Sequence, residues 1–227
     1  NTCLGALRSE VAGTMEEPIN DSKGCGGIMR IAPVGLLFSD PHKAFKTGCE
    51  LAAITHGHAT GYLASGVFAA IISFLNSGNN LIDAISSTIP ILKSYPDYQE
   101  TLEAINKAVK LSEKQNPSFQ KIIELGQGWI AEEALSISLY CALSYPDDFE
   151  KAVILAINHS GDTDSTGALT GNLLGLILGE DAIPSKWIKN LELSEVIKTV
   201  GEDLFKEATH EMAELYNYEW EKKYPSW

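Results

Sequence analysis

Asn158-His159-Ser160-Gly161-Asp162-Thr163-Asp164-Ser165-Thr166-Gly167 sets two carboxylates two residues apart and follows them with two hydroxyls and a glycine. Oxygen donors at this density suit a hard divalent cation such as Mg²⁺. Glycines then recur every fourth residue, at Gly167, Gly171, Gly175 and Gly179, and positions four apart share one face of an α-helix. The expectation is an acidic, hydroxyl-rich loop at the N-terminus of a helix whose glycine ridge admits a second backbone. The simplest reading is a metal site braced against a tightly packed core.

Other patterns share these letters. An isolated Asp-x-Asp at a helix start is often only a cap or a partner for the helix dipole. Here Gly161, Ser165, Thr166 and the glycine series favour a functional site. A calcium loop needs a bidentate acid at its twelfth position, and counting from Asp162 that position is Leu173. Asp162, Asp164 and Thr166 also spell the phosphatase pattern D-x-D-x-T. That pattern follows an apolar strand early in an α/β domain, whereas here it comes late in a helical chain.

Composition narrows the class. The chain has 227 residues with 44% hydrophobic and 21% charged residues, enough to bury a substantial core. A net charge of −13 argues against nucleic acid or an anionic membrane as partner. An anionic ligand would need a bound cation to offset that field. Cys3, Cys25, Cys49 and Cys141 form no C-x-x-C pair, which fits a reducing, cytoplasmic setting rather than a zinc site or disulfide framework. No signal peptide or membrane span is read. The apolar run around Leu173 to Leu178 is broken by glycines and Asn172 and is too short to cross a bilayer. The chain opens at Asn1 in what reads as domain interior, so an N-terminal portion is expected to be missing.

Helical signals dominate. Asp40-Pro41 caps a helix running to about Ile54. Tyr62 to Leu75 reads as a strongly apolar helix, and Asn80 caps one ending near Pro90. Pro96-Asp97 opens an amphipathic helix with Leu102, Ile105, Val109 and Leu111 at near-helical spacing. Pro117-Ser118 opens another that ends near Gly126. Ile130 to Leu143, Asp148 to Ile157 and Ser194 to Tyr216 complete the set, the last with Val196, Val200, Leu204, Met212 and Leu215 on its buried side. Strand patterns are scarce, so the fold is read as all-α, a single domain over residues 1–227.

Three further segments carry polar or glycine-rich signatures. Lys23-Gly24-Cys25-Gly26-Gly27-Ile28-Met29-Arg30 places three glycines in four residues, which lets backbone N–H groups face an anion. It lacks the Gly-Lys-Ser/Thr ending of a Walker loop, and a plain tight turn reads equally well. Thr55-His56-Gly57-His58 sits between two apolar helices, where a histidine is more often a helix-end residue than a catalyst. Gly126-Gln127-Gly128-Trp129-Ile130-Ala131-Glu132-Glu133 joins a flexible turn to an aromatic, with Trp129 read as core or pocket wall and the acids as dipole partners.

Together, Asn1-Thr2-Cys3, Gly24 to Gly35, Thr55-His56, Gly126 to Leu135 and Gly161 to Gly175 resemble the ADP-ribosylglycohydrolase family, in order and over nearly the whole chain. Gly-Asp-Thr-Asp-Ser-Thr-Gly is the specific segment. The resemblance implies a compact orthogonal multi-helix bundle with a cleft for a pair of Mg²⁺ or Mn²⁺ ions. The implied reaction is hydrolysis of the glycosidic bond between ADP-ribose and a modified protein side chain. Asp162, Asp164 and Ser165 would then be metal ligands, with Asp162 and Asp164 also catalytic. Gly24, Cys25, Gly26, Gly27, His56, Gly128 and Trp129 would contact ADP-ribose. Asp21 is a candidate acid or base. The chain departs from the family pattern in three ways. It has no Thr-Asp-Asp segment, which in the family supplies the other half of the ligands. Ser165 replaces threonine, and Cys25 stands where asparagine is common. The expected partners are therefore ADP-ribose or an ADP-ribosylated protein, with a separate N-terminal segment completing the site. The alternative is a catalytically inactive ADP-ribose binder or a structural relative.

Overall fold

Eighteen consecutive residues without a charge, Ala59 to Asn76, form the helix around which the first unit is built. In the computed structural model, which describes residues 2–9, 11–114, 116–209 and 222–224, the helices follow in chain order as α1 (Thr2–Leu7), α2 (Ala32–Leu37), α3 (Pro41–Ala53), α4 (Ala59–Asn76), α5 (Leu81–Lys93), α6 (Gln99–Ser112), α7 (Phe119–Leu125), α8 (Ala131–Ser144), α9 (Phe149–Ile157), α10 (Thr163–Leu178), α11 (Ser185–Ile188) and α12 (Ser194–Ala208), with short 3-10 turns at Ile28–Arg30 and Glu180–Ala182. Among the described residues there is no strand, only an isolated antiparallel bridge between Gly24 and Ile130. The chain divides into two units, residues 1–185 and 186–227.

In the first unit, α4 packs against α2, α3, α5, α8 and α10. By length and composition α4 could cross a membrane, yet 83% of it is buried in the fold. The uncharged run is therefore the core helix. Leu63, Val67, Phe68 and Ile71 on α4 and Leu135, Ile137, Leu139 and Tyr140 on α8 have no exposed surface. Each such side chain contributes about 1.5–3 kcal/mol by leaving water.

Helix starts follow the caps read in the sequence. Asp40 accepts from the His42 N–H at 2.9 Å, Asn80 from the Asp83 N–H at 2.9 Å and Asp148 from the Lys151 N–H at 2.9 Å. Three boundaries differ from expectation. α4 opens at Ala59 rather than Tyr62, because the His58 side chain accepts from the Thr60 N–H and caps it there. α5 runs through Pro90 to Lys93, because buried Ile91 and Leu92 anchor the turn beyond the proline. α6 begins at Gln99, since Asp97 takes a left-handed conformation (φ 57°) that turns the chain before the helix opens. The sequence reading also missed the six-residue helix α2.

The glycine ridge of α10 corrects an expectation. A Cβ on Gly171 or Gly175 would meet only the Phe149 ring, at 3.9 and 4.0 Å, and one on Gly167 would meet the Ile157 side chain at 2.6 Å. No backbone approaches these three positions within 4 Å. True backbone approaches occur instead at the α2–α4 and α3–α4 contacts. A Cβ on Gly35 would fall 2.4 Å from the Ala69 carbonyl oxygen, and one on Gly66 would fall 2.8 Å from the Phe45 carbonyl oxygen.

In the second unit, α12 contradicts the expected apolar face. Val196 and Val200 are 54% and 47% exposed, and the buried residue is Asp203. Asp203 is held by Lys206 at 3.5 Å, by Lys223, and by the Tyr224 hydroxyl at 2.7 Å. Among the described residues of this unit, the buried feature is this ionic cluster. Met212, Leu215 and the remainder of the expected helix lie outside the described residues.

Candidate functional site

Three loops of the first unit meet at the N-terminus of α10. Asp162 takes the N-cap position, yet its side chain makes no capping hydrogen bond. Its Oδ2 accepts instead from Cys25 Sγ at 2.9 Å and from Ser165 Oγ at 2.9 Å. Asp162 and Ser165 are 6% and 1% exposed, whereas Asp164 is open to solvent. The two carboxyl groups shift each other's ionisation in opposite directions. Burial works to raise the Asp162 pKa, but hydrogen bonds from Cys25, Asp164 and Ser165 outweigh it and hold the carboxyl below its ordinary value. Asp164 is pushed up by its contact with Asp162 and then by partial burial. Such a pair is stabilised by one shared proton or by a cation.

The glycine loop supplies the second wall. It is stitched to residues 129–131 by Cys25 N–H donating to the Trp129 carbonyl at 3.1 Å and Ala131 N–H donating to the Lys23 carbonyl at 2.8 Å. Gly24 N–H donates to Ser22 Oγ at 3.2 Å. Two of the loop's N–H groups are thus taken up internally rather than aimed at an anion. The glycines admit His56: a Cβ on Gly24 or Gly26 would lie 3.1 or 3.2 Å from its ring. His56 is 1% exposed and hydrogen-bonded through Nδ1 to Thr55 Oγ1 at 2.7 Å. Burial, with help from nearby Arg30, lowers its pKa to about 4. His56 therefore supports the loop from beneath as a neutral ring. The Cys25 thiol is pushed up to about 12 by burial and by the neighbouring Asp162.

The third wall is the Gly126–Trp129 turn. Gly126 and Gly128 take positive φ values of 125° and 81° that favour glycine. Glu133 Oε2 fixes the turn by accepting from Gln127 N–H at 2.9 Å and Gly128 N–H at 3.0 Å. The Gln127 carbonyl then accepts from Asp162 N–H at 2.7 Å. Gly161 is required there, since a Cβ would fall 1.9 Å from that carbonyl oxygen. Trp129 is 57% exposed, so it is not core. Its fixed contribution is the carbonyl that holds Cys25.

Asp162, Asp164, Ser165, the Gly24–Gly27 loop, His56 and Gly128 are therefore one neighbourhood. Asp21 is placed elsewhere, in a 530 Å³ groove with Met15, His58, Asp97 and Glu100, whose lining includes neither Asp162 nor Asp164. Several contributors escaped the sequence reading. Met29 places its sulfur 2.9 Å from Ser165 Oγ, and its position four residues after Cys25 was the available signal. Lys23 pairs with Glu100 and with the buried Glu132, at 3.3 Å from the latter. Burial nevertheless raises the Glu132 pKa, and Glu132 Oε2 has no hydrogen-bond partner. His159 accepts from Gly161 N–H through Nδ1 at 3.1 Å and meets Thr166 Oγ1 through Nε2 at 3.0 Å. Among the described residues, no three of His, Cys, Asp and Glu converge as a metal-binding group. The carboxylate pair and Ser165 fit part of an oxygen donor set for Mg²⁺ or Mn²⁺, not a closed one.

Comparison with known proteins places this arrangement. The ADP-ribosylglycohydrolase family model matches residues 1–214. ADP-ribosylhydrolase ARH3 of Homo sapiens is 24% identical over 215 residues, covering 81% of this chain and 58% of that protein. The ADP-ribosyl-[dinitrogen reductase] glycohydrolase of Rhodospirillum rubrum is 24% identical over 196 residues, covering 85% of this chain and 60% of that protein. The chain thus spans under two thirds of the length of these relatives. A solved ADP-ribosylglycohydrolase-related protein complex shares the fold, with a TM-score of 0.62 at 23% identity over 85% of this chain and 63% of its own. With the family model matching all but the last residues, the chain belongs to the ADP-ribosylglycohydrolase family.

Proposed function

We propose that the protein this chain represents hydrolyses the glycosidic bond between ADP-ribose and a modified protein side chain, with Mg²⁺ or Mn²⁺ as cofactor. The observation that carries the reading is the buried Asp162 carboxylate at the start of α10, held by Cys25 and Ser165 beside the solvent-exposed Asp164 and walled by the glycine loop. Asp162, Asp164 and Ser165 would hold the cation, which supplies Lewis-acid polarisation and a more acidic bound water. Cys25 and Ser165 keep Asp162 ionised and fixed in place. Asp164 is exposed to solvent and so open to a ligand. The paired negative charge also suits a transition state with oxocarbenium character at the anomeric carbon. The open part of the donor set calls for water or another protein segment to complete the coordination. The four free cysteines fit a cytoplasmic setting.

A second reading, an ADP-ribose binder without catalysis, is favoured by that incomplete donor set. Calorimetric titration of ADP-ribose with Mg²⁺, and again with chelator, tests both. Cation-dependent binding that Asp164→Ala abolishes supports the hydrolase site, and a hydrolysis assay then separates enzyme from binder. Equal binding by parent and Asp164→Ala overturns the assignment.

A further inference from the structure

Arg30 is a cation without a carboxylate, set in the wall of an apolar cavity. Its guanidinium is fixed by three hydrogen bonds: Nη1 donates to the Gly26 carbonyl at 2.9 Å, and Nη2 donates to the Leu51 carbonyl at 2.8 Å and to Thr55 Oγ1 at 2.7 Å. All three acceptors are uncharged. An arginine carries five N–H donors, so two remain. Thirty acids compete for seventeen lysines and arginines in this chain, yet among the described residues no salt bridge reaches Arg30. Glu50, beside Leu51 in sequence, pairs with Lys46 instead. The cavity measures 330 Å³, and apart from Arg30 and Thr55 its walls are Cys3, Leu7, Ile31, Leu51 and Ile54. Ile31 has no exposed surface, whereas Leu7, Leu51 and Arg30 reach solvent. The cavity thus has an apolar floor, and its cation is open to a ligand.

Small-molecule sites combine apolar walls with a few placed polar groups, in volumes of about 300–1,000 Å³. This cavity lies at the small end of that range. Its charge decides the class of ligand. Arginine keeps its charge at any ordinary pH, and a guanidinium prefers an oxyanion, with a charge-assisted hydrogen bond about twice as strong as a neutral one. One positive charge with two N–H groups to spare suits a monoanion such as a carboxylate better than a phosphate dianion. Leu7, Ile31, Leu51 and Ile54 call for an apolar body attached to it. We infer that the cavity between α1, Arg30 and the C-terminal end of α3 binds a small carboxylate with an aromatic or aliphatic body, its charge on Arg30 and its body against Ile31 and Leu51. The cavity shares no lining residue with the Asp162 cluster or with the residues assigned to ADP-ribose. Arg30 touches the glycine loop only through the Gly26 carbonyl. The inference therefore goes beyond the hydrolase reading and needs neither the cation nor ADP-ribose.

The probes are 2-naphthoate and 2-naphthamide, which share a ring system and differ in charge, titrated by fluorescence without metal or ADP-ribose. One naphthoate per chain should bind, about tenfold more tightly than the amide. Arg30→Gln removes the charge and should bring naphthoate down to the level of the amide. Leu51→Glu offers Arg30 a carboxylate of its own and should do the same without deleting the arginine. A circular dichroism melt establishes that each variant is folded, and Leu51→Glu decides the matter if Arg30→Gln does not fold. Absence of naphthoate binding, equal binding of naphthoate and naphthamide, or undiminished naphthoate binding in folded Leu51→Glu overturns the site. Addition of ADP-ribose with Mg²⁺ should leave naphthoate in place, and competitive displacement would overturn the cavity as a separate site. Naphthoate binding that depends on Arg30, in a protein that never binds ADP-ribose, leaves this inference standing and sinks the hydrolase reading. Mg²⁺-dependent ADP-ribose binding without naphthoate binding does the reverse.

Discussion

The glycines of α10 look like a packing ridge, and those of α2 to α4 are one. Along α10 the spacing is regular, yet only Gly167 is tightly faced, by the Ile157 side chain 2.6 Å from where its Cβ would lie, while Gly171 and Gly175 meet only the edge of Phe149 at van der Waals distance. At the α2–α4 and α3–α4 contacts no regular series draws the eye, but Gly35, Gly48 and Gly66 each face an atom of the neighbouring helix closer than any side chain tolerates. Periodicity tells which residues share a face. It does not tell what lies opposite, and what lies opposite decides whether a methyl group fits.

The comparison breaks most readily at its strong end. Gly66→Ala drives a Cβ toward Cys49 Sγ at 2.4 Å and the Phe45 carbonyl at 2.8 Å. It should cost about 2–3 kcal/mol, read as a lower urea midpoint. If Gly66→Ala costs no more than Gly171→Ala, the distinction between the two sets is wrong. Gly161→Ala comes next, with a Cβ 1.9 Å from the Gln127 carbonyl oxygen. Its damage should concentrate at the site: cation-dependent ADP-ribose binding is expected to fall more than about tenfold while the α3–α4 core still melts cooperatively. Binding at the parental level would show that the Gln127–Asp162 contact does not hold the site.

His56 extends the comparison to pH, because the Gly24–Gly26 loop lies directly on its ring. Its folded pKa is depressed to about 4 from an ordinary 6.5. Between those values the unfolded chain takes up a proton that the folded one refuses. The stability it contributes is therefore complete above pH 6.5 and is lost as pH falls toward 4, at about 1.4 kcal/mol for each pH unit crossed. His56→Gln should flatten that acid limb in melts taken from pH 7 to pH 4. An unchanged slope would remove His56 as its source. The smallest effect has the opposite sign. Gly171→Ala and Gly175→Ala should each stabilise by about 0.5–1 kcal/mol, because alanine is the better helix former and its methyl group finds room. Destabilisation at either position would restore the packing ridge.

Much of the fold was legible because caps and apolar periodicity act locally. Asp40, Asn80 and Asp148 each bond within their own first turn, so the neighbouring residues suffice to read them. Pro90 misled because the anchors that carry α5 past it, Ile91 and Leu92, are held by burial in the core, which local sequence does not display. The candidate site divides the same way. The Asp-x-Asp-Ser segment is visible as letters, whereas the Cys25 contact to Asp162 spans 137 positions and Lys23 reaches Glu132 across 109. Met29 carries no polar signature at all, and only its place in the turn after Cys25 brings its sulfur to Ser165.

The uncharged helix α4 has a consequence for how the protein is made. Its cover comes partly from α2 and α3, which precede it, and partly from α5, α8 and α10, which are encoded downstream. At translation speeds of about 5–20 residues per second, α4 leaves the ribosome seconds before α8 and α10 exist. A nascent segment as apolar as a membrane span must be sheltered for that interval, by α2 and α3 already made and by chaperones. Ribosome-bound chains ending between α4 and α8 should therefore cross-link strongly to chaperones, and the signal should drop once α8 has emerged.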